Sequence, residues 1–380
     1  MKKATNNNSM KQANRRLVLD MIRREPISRA DIAQRVELTR ASVTIITEQL
    51  INEGLIYESE LVQNNSKGRS PVLLMLNPDG ARFGGIHIEK DHVAVGIVNI
   101  SGGTLSQTTL PLTSAGPQAL LKSAWDVLAP SIDTLESVGV CAPGPLDSQQ
   151  GILLSPSHLS VWHDVSVTSI LADLLPGENP LCLESIPNAL ALEEKYFGVN
   201  RGVPNFASLL VDQSTIGLGV VLNDQLLRVA SGLGSELGHT TVVMDGLPCE
   251  CGNHGCLEKY ASLPALLKDT PFDSWHSLID QLENASQAQA LLEREAKYLS
   301  VALLNAVNML EVEMVILKGD IAYNATPLCN LLNQKVSGRI ASRHAGRKLL
   351  ITASEVPCSV RTAAMPAIHH FFTNASPYGV

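Results

Sequence analysis

From Ser9 to about Arg24 the apolar residues Met10, Leu17, Leu19, Met21 and Ile22 recur at helical spacing among Arg15, Arg16, Arg23 and Arg24, which predicts a first helix. Pro26-Ile27 ends it. Ser28 stands where it can cap a short helix running to Val36, with Asp31 as the capping-box partner. After a turn at Glu37-Leu38, Thr39 caps a third helix from Arg40 to about Glu53, whose Val43, Ile46 and Leu50 form an inward stripe. Its outward face begins with small and polar side chains: Thr39, Arg40, Ser42, Thr44 and Thr47. Gly54 closes the helix as a C-cap, and two β-rich runs follow at 55–59 and 71–76, with the polar loop 63–70 carrying Lys67 and Arg69 between them.

Near Asn77-Pro78-Asp79-Gly80 the pattern changes. Residues 83–99 read as two strands joined by a turn, and Gly102-Gly103 leads to a third. The same rhythm returns at 205–221. Two related β-led halves, each followed by helices, predict a duplicated α/β body with a ligand cleft between halves. Between Ala296 and Leu310 the spacing of Leu299, Leu303, Ala306, Val307 and Leu310 gives a long amphipathic helix leading into a strand at Met314, read as core. The tail after Pro357 carries no functional signal.

At 380 residues, 45% of them hydrophobic, the chain is long enough for two or three domains and rich enough in apolar side chains to bury cores. No apolar run approaches the roughly twenty residues that span a bilayer, and the polar start has no signal-peptide core, so a cytoplasmic protein without membrane contact is expected. Charge is divided unevenly. Residues 1–80 carry 12 lysines and arginines against 9 acids, leaving 17 against 28 for the remainder of a chain of net charge −8. Only the front piece would welcome a polyanion.

Helix, short helix, tight turn and a helix with a small polar leading edge is the layout of a helix-turn-helix, in which the last helix enters the major groove of DNA. The two β-rich runs with their polar loop add a wing. Arg69 beside Lys67 suits phosphates or a narrow minor groove. Helical periodicity by itself favours a generic three-helix bundle with a charged, solvated face; helix order, wing and local positive charge together reverse that toward double-stranded DNA.

The densest chemistry lies between 234 and 258, where Glu236-Leu237-Gly238-His239 precedes Cys249-Glu250-Cys251-Gly252-Asn253-His254-Gly255-Cys256-Leu257-Glu258. Three sulfurs and one imidazole nitrogen are the donor set of a closed tetrahedral zinc site: Cys249, Cys251, Cys256 and His239, with His254 the alternative fourth ligand. The competing reading is buried free thiols. The other cysteines, Cys141, Cys182, Cys329 and Cys358, are scattered singly and indicate no disulfide framework.

Glu-x-Gly-His followed by Cys-x-Cys-Gly-x-x-Gly-Cys-x-Glu resembles the signature of the ROK family, which includes repressors and sugar kinases. The resemblance implies that His239 and the three cysteines hold a structural zinc and that Glu236, His239 and Glu258 reach a bound sugar. It also implies an actin-like, ribonuclease-H-like duplicated body of the sugar-kinase type, here at 81–380 in two lobes, about 81–190 plus a C-terminal segment and about 191–350, behind a winged helix-turn-helix at 1–80. In ROK repressors a basic residue commonly stands where this chain has Ile45, which implies an apolar contact here, to a thymine methyl.

The parts that handle ATP depart from the ROK kinases. Their Asp-x-Gly-Gly-Thr corresponds to His87-Ile88-Glu89-Lys90-Asp91, where the phosphate-cradling glycines are lost and two acids would repel polyphosphate. The second phosphate loop is Gln213-Ser214-Thr215-Ile216-Gly217, only partly kept, and the adenosine-side Gly-Gly is Lys318-Gly319-Asp320. The family's Glu-Asn-Asp-x-Asn-Ala, whose Asp is the catalytic base, reads Glu184-Ser185-Ile186-Pro187-Asn188-Ala189. An aliphatic side chain cannot accept a proton, so general-base catalysis is absent. Glu184 and Asn188 are expected to cap and pack a helix. The family's Asn-rich sugar loop resembles His158-Leu159-Ser160-Val161-Trp162, which makes His158 and Ser185 the replacements for two sugar-binding asparagines.

The expectation is a ROK regulator of the NagC/XylR type. It would be a repressor without kinase activity that binds an operator as a homodimer or homotetramer and responds to a small sugar or sugar phosphate. The rivals are an active sugar kinase with an appended DNA-binding head, and an adaptor that binds a protein partner.

Overall fold

The computed structural model describes residues 7–59, 72–112, 116–156, 159–174, 179–213, 215–228, 236–341 and 349–373. Lys67, Arg69 and His158 lie outside them. The chain divides into two compact units, one of Met1–Cys141, Thr168–Leu183 and Ala363–Val380, the other of Ala142–Val167 and Glu184–Thr362.

The first unit opens with helix α1 (Asn7–Arg24), which buries Val18, Leu19 and Ile22. The break at Pro26 is also the start of a short strand, β1 (Ile27–Ser28). Ser28 caps α2 (Arg29–Arg35): its Oγ accepts from the Asp31 backbone N–H at 3.2 Å and donates to the Asp31 carboxylate at 2.7 Å. Thr39 caps α3 (Arg40–Asn52) by accepting from the Ser42 N–H at 3.1 Å. Strands β2 (Ile56–Glu58) and β3 (Leu73–Leu76) complete an antiparallel sheet in the order β1-β3-β2.

A five-stranded sheet follows in the same unit, built from β4 (Arg82–Ile88), β5 (His92–Asn99), β6 (Thr104–Pro111), β7 (Leu135–Ala142) and β11 (Leu181–Ser185), in the order β11-β7-β4-β5-β6. Strands β4 to β6 form an antiparallel meander, and β7 joins β4 in parallel after helix α4 (Gly116–Leu128) has crossed over. Helix α5 (Val167–Ala172) lies between β7 and β11 in the chain.

The second unit contains a small sheet of β8 (Leu146–Asp147), β9 (Ile152–Leu153) and β10 (Val165–Ser166), and a second five-stranded sheet. That sheet uses β12 (Phe206–Val211), β13 (Ile216–Leu222), β14 (Gln225–Leu226), β15 (Met314–Lys318) and β16 (Leu350–Ala353), in the order β14-β13-β12-β15-β16. Its pairings follow the same plan, an antiparallel meander and then a parallel neighbour, and add a second parallel strand, β16. The two sheets share a strand order and the same meander followed by a parallel neighbour, as the expected duplication requires. Helix α6 (Ile186–Phe197) packs on β12 and β13. The short helices α7 (Glu258–Ala261), α8 (Leu263–Leu267) and α9 (Trp275–Ile279) precede the long α10 (Ser286–Leu310), and α11 (Thr326–Ala341) lies against α10 and β16. Leu299, Leu303, Ala306 and Val307 are buried in this unit's core, as the spacing predicts, whereas Leu310 is only partly buried at its edge.

The tail, which carries no functional signal in the sequence, forms helix α12 (Val360–Thr373). Ala367 O accepts from the Ser137 hydroxyl of β7 at 3.4 Å, and Phe371 meets Phe83 of β4 edge-on with ring centroids 5.4 Å apart. Phe372 lies beneath the Arg23 guanidinium of α1, 5.4 Å from its ring centroid. Arg15 of α1 pairs with Glu53 at the end of α3. Burial, with Glu53 nearby, pushes the carboxyl of Glu136 on β7 above its ordinary range. Arg23 of α1 thus touches α12, and Arg15 and Glu53 lie close enough to Glu136 of the first sheet to act on its charge.

Candidate functional site

Two groups of residues carry the expected chemistry. On α3, Thr39, Arg40, Ala41, Ile45, Glu48 and Gln49 are exposed, and Ser42 and Thr44 are half-buried. Thr47 does not belong with them. It is 0% exposed, donates to Thr44 O at 3.1 Å and accepts from Arg29 Nε at 2.9 Å, while the same guanidinium pairs with Glu58 at 2.6 Å. The expected outward placement of Thr47 is corrected: with Val43 and Leu50 it lies on the buried stripe, its hydroxyl satisfied internally.

The second group lies within the second unit. A cleft with about 670 Å3 of empty space, its mouth included, is lined by Pro143, Gly144 and Pro145, by Ser185, Ile186 and Pro187 at the start of α6, and by Thr215 with Ile216, Gly217 and Leu218 of β13. Glu236, His239 and Glu258 complete the wall. Four expected ligand-binding residues, Glu236, His239, Glu258 and Ser185, therefore share one cleft. Their approach depends on Gly238: a Cβ there would stand 2.8 Å from the Ile216 carbonyl oxygen and 3.2 Å from Glu258 Oε2. Burial pushes the Glu236 carboxyl above its ordinary range, with His239 opposing and Glu258 adding to the shift. A ligand hydroxyl donating to that carboxyl would supply the hydrogen bond that burial withholds.

Sequence motifs alone did not point to Pro187 or Thr215 as wall residues; both follow from α6 beginning opposite β13. Ile186 lines this cleft and is nearly buried. Glu184, just before it, accepts from the Ser185 N–H at 3.0 Å, from Asn188 Nδ2 at 2.9 Å and from Arg228 Nε at 3.1 Å. Glu184 and Asn188 thus hold the first turn of α6 in place, and Arg228, which the sequence did not single out, neutralises the buried acid. Lys318 is buried and donates to Glu194 and Ser354, both at 2.8 Å.

His239 faces two ways. Its Nε2 lies 3.8 Å from Glu258 Oε2, and its Nδ1 lies 3.6 Å from Cys249 Sγ. One ligand atom from each of His239, Cys249, Cys251 and Cys256 falls within 4.8 Å of the others. Cys251 Sγ and Cys256 Sγ are 3.7 Å apart. Two sulfurs at about 2.3 Å from one tetrahedral ion stand roughly 3.8 Å apart, so the spacing is that of a metal shell and too long for a disulfide. His254 is outside the cluster; its carbonyl accepts from Thr241 Oγ1. Gly255 has a φ of +70°, and a Cβ there would meet the Val243 carbonyl oxygen at 1.7 Å, so the turn that folds Cys256 back requires glycine. Burial raises the Cys256 thiol to about 12, a proton that a divalent ion would displace. The donor set fits zinc.

Residues 83–359 match the ROK family. The xylose repressor of Bacillus spizizenii is 29% identical over 347 residues, covering 87% of this chain and 88% of the repressor. A ROK family transcriptional regulator, described as a homolog of the Escherichia coli MLC protein, superposes with a TM-score of 0.78 at 24% identity over 96% of both chains. A ROK hexokinase from Thermus thermophilus superposes with a TM-score of 0.63 at 25% identity, covering 76% of this chain and 98% of the hexokinase.

Proposed function

The chain belongs to the ROK family, and on that premise we propose that it is a sugar-responsive, DNA-binding transcriptional regulator, a repressor of carbohydrate-metabolism genes without kinase activity. The observation that carries this reading is the span of the similarity to a xylose repressor, 87% of this chain, whereas the hexokinase covers 76%. Residues 7–80 would form a winged helix-turn-helix, with Thr39, Arg40, Ser42 and Thr44 of α3 at the major groove and Lys67 and Arg69 of the wing on phosphate or in the minor groove. A homodimer or homotetramer would present paired heads to a pseudo-palindromic operator.

The cleft would bind a sugar or sugar phosphate through Glu236, His239, Glu258, Ser185 and His158. Ile186 supports the non-enzymatic reading, because a hydrocarbon at the base position cannot deprotonate a sugar hydroxyl. The ligand would regulate only by binding more tightly to one arrangement of heads than to another.

Selection from random duplexes should yield a sequence that the full-length protein retains at moderate salt, and a sugar panel should contain a ligand that releases it. Arg69→Ala should weaken that binding several-fold. ATP consumption coupled to sugar phosphorylation, or the absence of any preferred duplex, would overturn the reading.

Zinc in the His239, Cys249, Cys251 and Cys256 cluster would be structural: it ties the loop that carries His239 to the one that leads into Glu258, so both cleft walls depend on it. Cys251→Ser should lose the metal by elemental analysis and lower the melting temperature by roughly 10 °C, the shift expected for about 3 kcal/mol in a unit of this size. Native protein free of metal and of unchanged stability would refute the site.

A further inference from the structure

The cleft of the second unit has two acids in its wall, Glu236 and Glu258, and among the described residues no lysine or arginine lines it. Cations attached to the wall segments are matched elsewhere. Arg228 donates to Glu184 at 3.1 Å, and Lys259, which follows Glu258 in the chain, donates to both carboxylate oxygens of Glu250 at 2.8 and 2.9 Å. The imidazole of His239 turns its Nε2 toward Glu258 Oε2, 3.8 Å away. No side chain is left to meet a ligand's negative charge.

A site without cations can still hold a phosphate through backbone N–H groups, at a helix N-terminus or in a turn. Two wall segments offer such groups, and the chain's own acids fill both. At the start of α6, Glu184 Oε1 accepts from the Ser185 N–H at 3.0 Å, and Pro187 in the first turn has no N–H to give. Ahead of β13, Asp212 Oδ1 accepts from the Thr215 N–H at 2.9 Å, while the Asp212 N–H donates back to Thr215 O at 3.2 Å and closes the turn. Each carboxylate takes the place of a phosphate oxygen and sets a negative charge beside it.

We propose that Glu184 and Asp212 determine specificity: with the cation-free wall they restrict the cleft to unphosphorylated sugars. The proposal rests on the reading of the cleft as a sugar site and decides between the two effector classes, sugar and sugar phosphate. Hydrogen-bond chemistry favours the first. The carboxylates of Glu236 and Glu258 accept, a sugar hydroxyl donates, and the hydroxyls of Ser185 and Thr215 can do either. A phosphate dianion only accepts, so it would face acceptors across the cleft and find both backbone donors taken.

The test titrates full-length, zinc-replete protein by calorimetry with matched pairs: glucose and glucose 6-phosphate, N-acetylglucosamine and its 6-phosphate, xylose and xylose 5-phosphate. The free sugar of at least one pair should bind, and its phosphate should bind at least about a hundredfold more weakly, with about tenfold from each internal carboxylate. Glu184→Gln and Asp212→Asn keep an acceptor oxygen and remove the charge, so each should narrow that gap about tenfold and leave the free sugar's affinity nearly unchanged. Asp212 is only half-buried, so its variant remains informative if Glu184→Gln folds poorly. A phosphate that binds as tightly as its parent sugar, or a gap that neither variant narrows, would overturn the proposal and leave the sugar-responsive reading standing. Binding of no sugar and no phosphate at millimolar concentration would overturn that reading, and this proposal with it.

Discussion

Ile45 is 58% exposed in the middle of α3, with Ala41 a turn before it and Glu48 and Gln49 a turn after. An aliphatic side chain displayed there has one apolar partner in a major groove, the thymine methyl. Replacing a contacted thymine by deoxyuridine in the selected duplex should cost about fourfold in affinity, the worth of roughly 0.8 kcal/mol for one buried methyl. Ile45→Ala should abolish the difference between the two duplexes; a discrimination that survives the substitution would assign the methyl contact elsewhere. Thr47 shows where residue-scale reading failed. Its hydroxyl suggested an outward position, yet its spacing from Val43 and Leu50 places it on the stripe that folds inward. Spacing was the better guide than polarity, because Thr44 O and Arg29 satisfy the hydroxyl from within.

At the scale of the element, α10 carries an acid in its buried face. Glu295 is 0% exposed and neither carboxylate oxygen has a hydrogen-bond partner among the described residues, and burial pushes its proton affinity well above the carboxylate range, Arg294 opposing only in part. The folded state therefore holds a proton that the unfolded chain releases. The stability tied to that proton is complete below the unfolded carboxyl range and is lost as pH rises toward the folded value. Glu295→Met should stabilise the protein by about 1–3 kcal/mol, with a larger gain in melting temperature at about pH 8 than at about pH 5. An equal or opposite change across that range would show that the acid has a partner in solution. The strands were legible because alternating and continuous apolar runs recur in both halves. Helix α12 was not: Pro366, ordinarily a helix breaker, lies inside it, and Ala363, Ala364, Met365, Ala367 and Ile368 are buried in succession, so no amphipathic period marks it.

For the whole molecule, the duplicated sheets and the cysteine cluster could be read from the chain because both rest on local spacing. The cleft could be read only in part. Glu236, His239 and Glu258 belong to one motif, but Pro187 and Thr215 reach the same wall through pairings between distant segments that no local pattern encodes. The same holds for the front piece, whose charge and helix order suggested an independent module. Its Arg23 stacks over Phe372 of α12, the helix that also sets Phe371 against Phe83 of the first sheet. Exchanging such a module alone would break that contact. A hybrid regulator that borrowed residues 7–80 from this chain would leave Arg23 without its aromatic floor unless the donor's final helix were transplanted too.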